Sequence, residues 1–333
     1  MVLADRPIEV MGAKIITRLV MALILSAVAV TAGARTHVLV VTGIGGEAFF
    51  SDNFERWSRT VTEVARDAWG SAPGDVIWLA PKELEGADGE ARLSEVKAAL
   101  HALAGRATPA DTVLIMLIGH GTATSGRALF NLPGADASAA FFAEALVRFD
   151  GARIVFVNAA SASGPFIAKL SAPGRIVITA TANARENEFT RFGRFFGEAF
   201  STGQADSDKN GRVSVFEAYE FSRSKVAKTF AEAKLLQTGH PLLDDNGDGV
   251  GSPHPALDGD DGGIARAVFL QQEATLSPRQ LRLRVAARAL VERVENLKRK
   301  KSVMYRDEYW AALEDVLLQL ARNRRAYRQG GEP

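Results

Sequence analysis

Two polar turns follow apolar segments in the middle of the chain, and their residue types suit catalysis. Residues 113–118 form an unbroken apolar run that ends in the sequence GHG and presents His120. A second apolar segment, 153–157, ends in a turn that contains Ser161. Catalytic groups in open α/β sheets sit just beyond the carboxyl ends of strands. We therefore expect a functional site at these two strand ends, where glycine frees the amide of Gly121 to donate a hydrogen bond.

A second constellation, residues 206–217 (DSDKNGRVSVFE), matches the spacing of an EF-hand calcium loop. Calcium takes six to eight oxygen ligands, and this pattern wraps them round one ion. Gly211 stands where the loop must turn sharply. The predicted ligands are Asp206, Asp208, Asn210, the backbone carbonyl of Arg212, Ser214 and Glu217. The sequence thus predicts a calcium site; the alternative is a polar loop that only begins the following helix.

The segment 244–249 (DDNGDG) resembles the first half of a calcium loop. Its twelfth position falls on Pro255, so the bidentate carboxylate is missing there. Asp258, Asp260 or Asp261 would have to replace it. A second metal site and a simple polar turn both stay open, and the turn is favoured.

Residues 43–48 (GIGGEA) also satisfy a dinucleotide-binding pattern after a first strand. That pattern requires an acidic residue at the end of the second strand, about 20 residues further on. The second predicted strand ends near Ala80 and Pro81, without such an acid. We therefore do not favour a nucleotide cofactor.

The bulk composition narrows the class of protein. The chain has 333 residues, of which 47% are hydrophobic and 24% are charged, enough for one large domain with an appendage. A formal net charge of +1 gives no global field that would favour nucleic acid. Because the chain contains no cysteine, disulfides and a thiol nucleophile are both excluded.

The N-terminus has the pattern of an export signal. Lys14 and Arg18 precede the apolar run 19–30, and residues 32–34 (AGA) form a small-x-small cleavage site. The apolar run is shorter than the roughly 20 residues that span a membrane. We predict a signal peptide with its leader over 1–34, and a periplasmic or secreted mature protein outside the membrane. An uncleaved anchor is the alternative.

Strands and helices alternate along the next part of the chain. This alternation predicts an α/β domain with a mostly parallel sheet. Asp136 is the predicted cap of the helix that follows it. The predicted strands are residues 37–42, 76–80, 113–118, 153–157 and 175–180, and the predicted helices are residues 49–69, 91–103, 139–149, 165–170, 192–200 and 216–229.

After residue 262 the pattern changes to two amphipathic helices, which predict a helical hairpin over 263–333. Ser277 and Pro278 have the residue types of an N-cap and first helical position. The basic run 298–301 interrupts the pattern; we interpret it as a solvated turn rather than a site for anionic lipid or nucleic acid. A hairpin that binds a partner protein as an adaptor stays open.

The two polar turns together resemble the caspase/legumain-like cysteine peptidases over roughly residues 36–235. The segments 42–46, 131–134 and 175–182 also fit this resemblance. It implies a three-layer caspase-like fold over residues 35–262, with a mostly parallel central sheet and helices on both faces. It also implies a peptide or protein as substrate or ligand.

The resemblance further assigns roles to individual residues. It implies that His120 is the general base and that the amides of Gly121 and Ser161 form the oxyanion hole. Ser161 stands where the family has its nucleophilic cysteine. A cysteine thiol has a pKa near ~8.5 and is readily ionised beside an imidazole, whereas a serine hydroxyl needs a base oriented by a third group. We expect a peptidase-fold protein with lost or weakened catalysis. The alternatives are an active Ser161–His120 hydrolase and a His120 that is only a satisfied strand-end histidine with no site.

Overall fold

The computed structural model describes residues 34–72, 74–124, 127–256, 260–271 and 277–329. The predicted signal peptide therefore lies, except for Ala34, outside the described residues. None of the described helices is both long and apolar enough to cross a membrane.

The strands form where apolar and β-branched residues run together, and the helices form where apolar residues recur at helical spacing. The strands are β1 (Thr36–Thr42), β2 (Val76–Ala80), β3 (Gly89–Glu90), β4 (Thr112–Ile118), β5 (Gly121–Thr124), β6 (Arg127–Phe130), β7 (Ala137–Ser138), β8 (Arg153–Asn158), β9 (Arg175–Thr179) and β10 (Leu242–Asp244). The helices are α1 (Ala48–Asp67), α2 (Leu93–Ala104), α3 (Ala139–Leu146), α4 (Phe166–Leu170), α5 (Phe192–Ser201), α6 (Val215–Glu232), α7 (Pro278–Lys300) and α8 (Arg306–Gln329).

Seven of these strands form one sheet in the order β10-β9-β8-β4-β1-β2-β3. All neighbouring pairs run parallel except β10, which is antiparallel to β9. The strands β1, β4 and β8 are fully buried along their length, as expected when helices cover both faces of a parallel sheet. The predicted mostly parallel α/β sheet is confirmed.

The core has two parts, one on each face of the sheet, because successive side chains of a strand point to opposite faces. In β1, Val38 and Val40 pack with α1, α5 and α6, whereas Leu39 and Val41 pack with α2, α3 and α4. The sheet is therefore the middle of three layers.

The sequence did not predict a second, antiparallel sheet of β5, β6 and β7, which follows His120 directly. The predicted cap at Asp136 is wrong. Ser138 caps α3 by accepting a hydrogen bond from the amide of Phe141, and the Asp136 carboxylate accepts one from the amide of Leu132 instead. Ser138 lies immediately before the helix, where its shorter side chain reaches the free amides.

The C-terminal helical hairpin is confirmed as the pair α7 and α8. Ser277 caps α7, and its hydroxyl and the Gln280 side chain form a reciprocal capping box. On α8, Trp310 and Leu317 are 52% and 46% exposed, the kind of apolar surface that the adaptor hypothesis requires. That hypothesis stays a prediction.

Candidate active site

The register of two neighbouring strands places His120 and Ser161 side by side. In the β4–β8 pairing, Leu117 lies opposite Asn158. His120 and Ser161 each follow three residues after that pair, at the carboxyl edge of the sheet. The unbroken apolar strands thus position the two polar turns, as the sequence predicted.

Aromatic rings enclose the imidazole of His120. The rings of Phe50 and Phe54 meet it edge to face, with centroid distances of 4.9 and 5.0 Å. This burial lowers the pKa of His120 below its ordinary value, and a backbone hydrogen bond to Gly45 acts in the opposite direction. No carboxylate of the described residues contributes to the pKa of His120. The imidazole is thus held neutral and is oriented by a backbone group rather than by an acid.

The hydroxyl of Ser161 is buried and bonded to the backbone of Gly121. It accepts a hydrogen bond from the Gly121 amide at 3.1 Å and donates one to the Gly121 carbonyl, also at 3.1 Å. The hydroxyl proton is therefore directed at a carbonyl. The Gly121 amide, which the resemblance assigns to an oxyanion hole, has the serine oxygen as its acceptor.

The two turns touch so closely that only glycine fits at position 121. A Cβ on Gly121 would lie 2.3 Å from the Ser161 carbonyl oxygen, inside any real contact distance. Immediately after Ser161, Ala162 adopts a left-handed backbone with φ of 50°, which costs energy in a residue that carries a Cβ. This bend turns the chain back and leaves Ser161 at its tip.

Bonds from Ser163 hold the bent turn to the end of β9. Its hydroxyl accepts hydrogen bonds from the amides of Ala180 and Thr181 at 3.1 and 3.2 Å, and it bonds to the Thr181 hydroxyl. The Thr181 hydroxyl also accepts a bond from the amide of Gly164. The turn is thus fixed by residues other than Ser161.

A carboxylate–histidine hydrogen bond that the sequence did not suggest supports the same turn from the other side. The Glu186 carboxylate lies 2.8 Å from Nδ1 of His240 and accepts bonds from the amides of Ala182 and His240. The backbone carbonyl of Glu186 accepts a bond from the amide of Ala162. Since Glu186 and His240 are 54 residues apart, no local pattern could have indicated the pair.

A cavity of about 470 Å³ opens at these turns. The three residues predicted to be catalytic, His120, Gly121 and Ser161, all line it. Its other walls are Ile44, Gly45, Gly46, Thr122, Ala123, Asn131, Ala184 and Asn187. The volume suits a peptide side chain or a small molecule, and the roles of the three residues stay predictions.

A model of the Peptidase C13 family matches residues 94–238. The resemblance to the legumain-like peptidases is confirmed over that segment. Among solved structures, the crystal structure of drICE covers 65% of this chain and 89% of its own, with 11% identity and a TM-score of 0.38. A search among curated proteins finds no match.

The C13-like segment also contains the predicted calcium loop, 206–217. Carboxylate oxygens of Asp206, Asp208 and Glu217 lie within 4.8 Å of one another, and this is the single such group of metal-binding side chains among the described residues. Gly211 has φ of 82°, the left-handed turn that the sequence predicted at this position. The residues therefore fit a calcium ion, although the presence of the ion itself stays a prediction.

The other predicted ligands already hold the loop in shape. Ser214 caps α6 and forms a capping box with Glu217. The side-chain oxygen of Asn210 accepts a bond from the amide of Arg212. Burial alone would raise the pKa of Glu217, but hydrogen bonds from Ser214 and Ser207 outweigh it and hold that pKa below the ordinary value. Glu217 is thus kept ionised.

The second acidic segment, 244–249, is a hydrogen-bonded turn. The Asp244 carboxylate accepts bonds from the amides of Gly247 and Gly249, both at 3.1 Å. Asp261 accepts a bond from the amide of Asp245, and Asp258 lies outside the described residues. Among the described residues, no group of three metal-binding side chains forms at this segment, which supports the polar-turn interpretation.

Proposed function

We propose that this chain is an exported protein that keeps a peptidase-type fold but hydrolyses peptides very slowly or not at all. The observation that carries the proposal is the hydroxyl of Ser161, whose hydrogen bonds go to the backbone of Gly121. A calcium ion in the loop 206–217 would brace the segment between α5 and α6.

The chemistry of serine supports this proposal. A hydroxyl becomes a useful nucleophile only when a base accepts its proton and a third group orients that base. In the described residues, the orienting partner of His120 is the backbone of Gly45. A backbone carbonyl is neutral, so it stabilises the imidazolium that forms during proton transfer less than a carboxylate does.

One observation favours the alternative, an active Ser161–His120 hydrolase. The lowered pKa of His120 favours the neutral imidazole, which is the form that can accept a proton. The Ser161 hydroxyl would have to give up its two hydrogen bonds to Gly121 before it could act as a nucleophile.

Replacing Ser161 by Cys tests the two functions. We expect Ser161→Cys to cleave at least one peptide in a panel ending in Asn, Asp or Arg, at about 100-fold or more above wild type, because a thiolate forms readily beside imidazole. Ser161→Ala should equal wild type. His120→Gln in the Cys background should abolish the gain.

Serine-directed phosphonates give an independent readout on the wild type. The proposed loss of catalysis predicts no labelling of Ser161. If wild type is labelled at Ser161, and Ser161→Ala loses measurable hydrolysis, the active hydrolase is correct. If Ser163→Cys, a matched change in the same turn, gains as much activity as Ser161→Cys, the proposed nucleophile position is wrong.

Calcium binding is tested by thermal melting. We expect calcium at about 1 mM to raise the Tm over that in chelator, because extracellular calcium sites bind in the 10⁻⁴–10⁻³ M range and a ligand stabilises the state that binds it. Asp208→Asn should remove the rise, whereas Asp248→Asn, in the other acidic turn, should keep it. The reverse pattern would place the ion at 244–249.

Export is tested at the N-terminus of the mature protein. We expect cleavage after residue 34 when the full chain is expressed in a secreting host, and N-terminal sequencing of the recovered protein measures it. Recovery of the uncleaved chain in the membrane fraction would support the anchor instead.

A further inference from the structure

A cavity of about 390 Å³ lies between the helical hairpin and the sheet, on the side opposite the candidate active site. It opens at Thr112 and Arg153, the first residues of β4 and β8. His120 and Ser161 follow the carboxyl ends of the same two strands. The cavity therefore belongs to the amino edge of the sheet.

The charged side chains that line this cavity are all basic. Its lining contains six arginines and no acidic residue. The arginines are Arg153, Arg212, Arg266, Arg284, Arg288 and Arg324. The whole chain carries 40 basic and 39 acidic side chains, so this local excess does not follow from composition.

Like charges crowd one another at the floor of the cavity. Arg288 donates hydrogen bonds to the carbonyls of Pro109 and Asp111, which fasten α7 to the sheet. Burial and the neighbouring charges of Arg284 and Arg153 lower the pKa of Arg288 to about 9. The carboxylates of Asp111 and Glu292 act in the opposite direction, but the net shift is still downward, so an additional anion would relieve the crowding further.

Close to Arg284 and Arg288, one hydrogen-bond donor of Arg153 has no acceptor within the described part of the chain. Its side chain is 3% exposed, and its two terminal nitrogens bond to the Gly174 carbonyl and the Glu292 carboxylate. Its Nε is buried and has no hydrogen-bond partner among the described residues. A buried donor without an acceptor is costly, so the polar groups at this end of the cavity are incompletely satisfied.

Aromatic rings hold two other arginines of the lining in place. The guanidinium of Arg212 lies 4.1 Å from the ring centre of Phe269, and that of Arg266 lies 3.2 Å from the ring centre of Phe216. Stacking fixes the plane of a guanidinium and so lowers the entropy lost when it binds a planar or tetrahedral anion. These charges are therefore preorganised.

We propose that this cavity binds a small soluble molecule that carries phosphate groups. A carboxylate brings one negative charge, whereas a phosphate monoester brings about 1.5 to 2 and presents three acceptor oxygens. Arginine forks match those oxygens in pairs. The apolar part of the lining, which includes Leu283 and Val291, would contact the uncharged part of the ligand.

Inorganic pyrophosphate is the probe, titrated into the full-length protein by calorimetry at constant ionic strength. We expect saturable binding with one site per chain, and none for acetate. Arg284→Gln combined with Arg324→Gln should weaken binding about tenfold or more, since each charge-assisted hydrogen bond is worth roughly a factor of ten in affinity. Arg282→Gln with Arg322→Gln changes the same charge on the same helices at positions that do not line the cavity, and should bind as wild type.

Three outcomes would overturn the proposal. The first is the absence of saturable pyrophosphate binding by wild type whose melting curve shows a folded protein. The second is equal weakening in both double variants, which would indicate general charge attraction. The third is binding to vesicles that contain an anionic phospholipid without any binding of pyrophosphate, which would assign the arginines to a lipid headgroup.

Discussion

The two edges of the sheet each carry a histidine. Carboxylates lie beside one imidazole and aromatic rings lie beside the other. At the amino edge, His37 is fully buried, with Nδ1 3.2 Å from Asp75 and Nε2 3.5 Å from Asp111. At the carboxyl edge, His120 borders a cavity, and aromatic rings surround it in place of acids.

The difference separates a histidine packed inside the sheet beside carboxylates from a histidine that borders a cavity. The group at the amino edge joins the starts of three parallel strands, because His37, Asp75 and Asp111 lie at or just before β1, β2 and β4. Its contacts stabilise the fold. His120 has no carboxylate of the described residues beside it, and its imidazole lies next to an open space with a pKa that burial lowers.

Of the changes considered, removing the Asp111 carboxylate at the amino edge should lower the free energy of unfolding the most. Asp111→Ala leaves the amide of Arg35 and both donors of Thr108 without their acceptor, and removes the carboxylate 3.5 Å from Nε2 of His37. We expect a loss of about 3 kcal/mol or more in the free energy of unfolding, since breaking a buried charge group strands its partners. Urea unfolding measures it. Asp67→Ala, at an exposed position of α1, is the matched control and should change little.

The ionisation of Asp111 should make the free energy of unfolding depend on pH. Burial raises the pKa of Asp111, but hydrogen bonds from His37, Arg35 and Thr108 outweigh it and hold that pKa below its ordinary value. Its stabilisation is present above the unfolded pKa of about 3.9 and is lost as the pH falls through the lower folded pKa.

Asp111→Asn should therefore be less stable than wild type at pH 7, and the gap should narrow below about pH 4. Unfolding in urea at a series of pH values measures the gap. A gap that stays constant down to pH 3 would contradict the prediction.

At the carboxyl edge we expect a smaller effect, on the pH dependence of kcat/KM of the Ser161→Cys variant. Because burial lowers the pKa of His120, the base stays neutral and activity should persist below about pH 6.5. Phe50→Ala exposes the imidazole and should shift the acid limb of kcat/KM upward. Phe49→Ala removes a ring that is 59% exposed and has no ring contact with His120, so it should leave the limb in place.

The comparison also explains what the sequence could predict. The buried strand β4 was predicted almost to its ends, because an apolar run that long admits few other structures. The position of His120 follows from it, since the site lies just past a parallel strand. The glycine turn of the calcium loop was predicted for a similar reason, because its pattern is local.

Structure that depends on distant partners was not predicted. The strands β5 to β7 are two to four residues long, and their pairing rather than their composition makes them strands. The polar residues of the His37 group each precede an apolar run, which is a visible signal. Their meeting, however, requires the order of the strands in the sheet, and one sequence does not give that order.

The hydrogen bonds of Ser163 mean that the residue at position 161 can change without altering the turn. They fix the bend around Ser161 to the end of β9 without using the Ser161 side chain. Exchange of sulfur for oxygen at that tip would therefore leave the scaffold intact. Serine and cysteine at position 161 would differ by a single side-chain atom. The backbone of the turn would therefore be the same whether that atom is oxygen or sulfur.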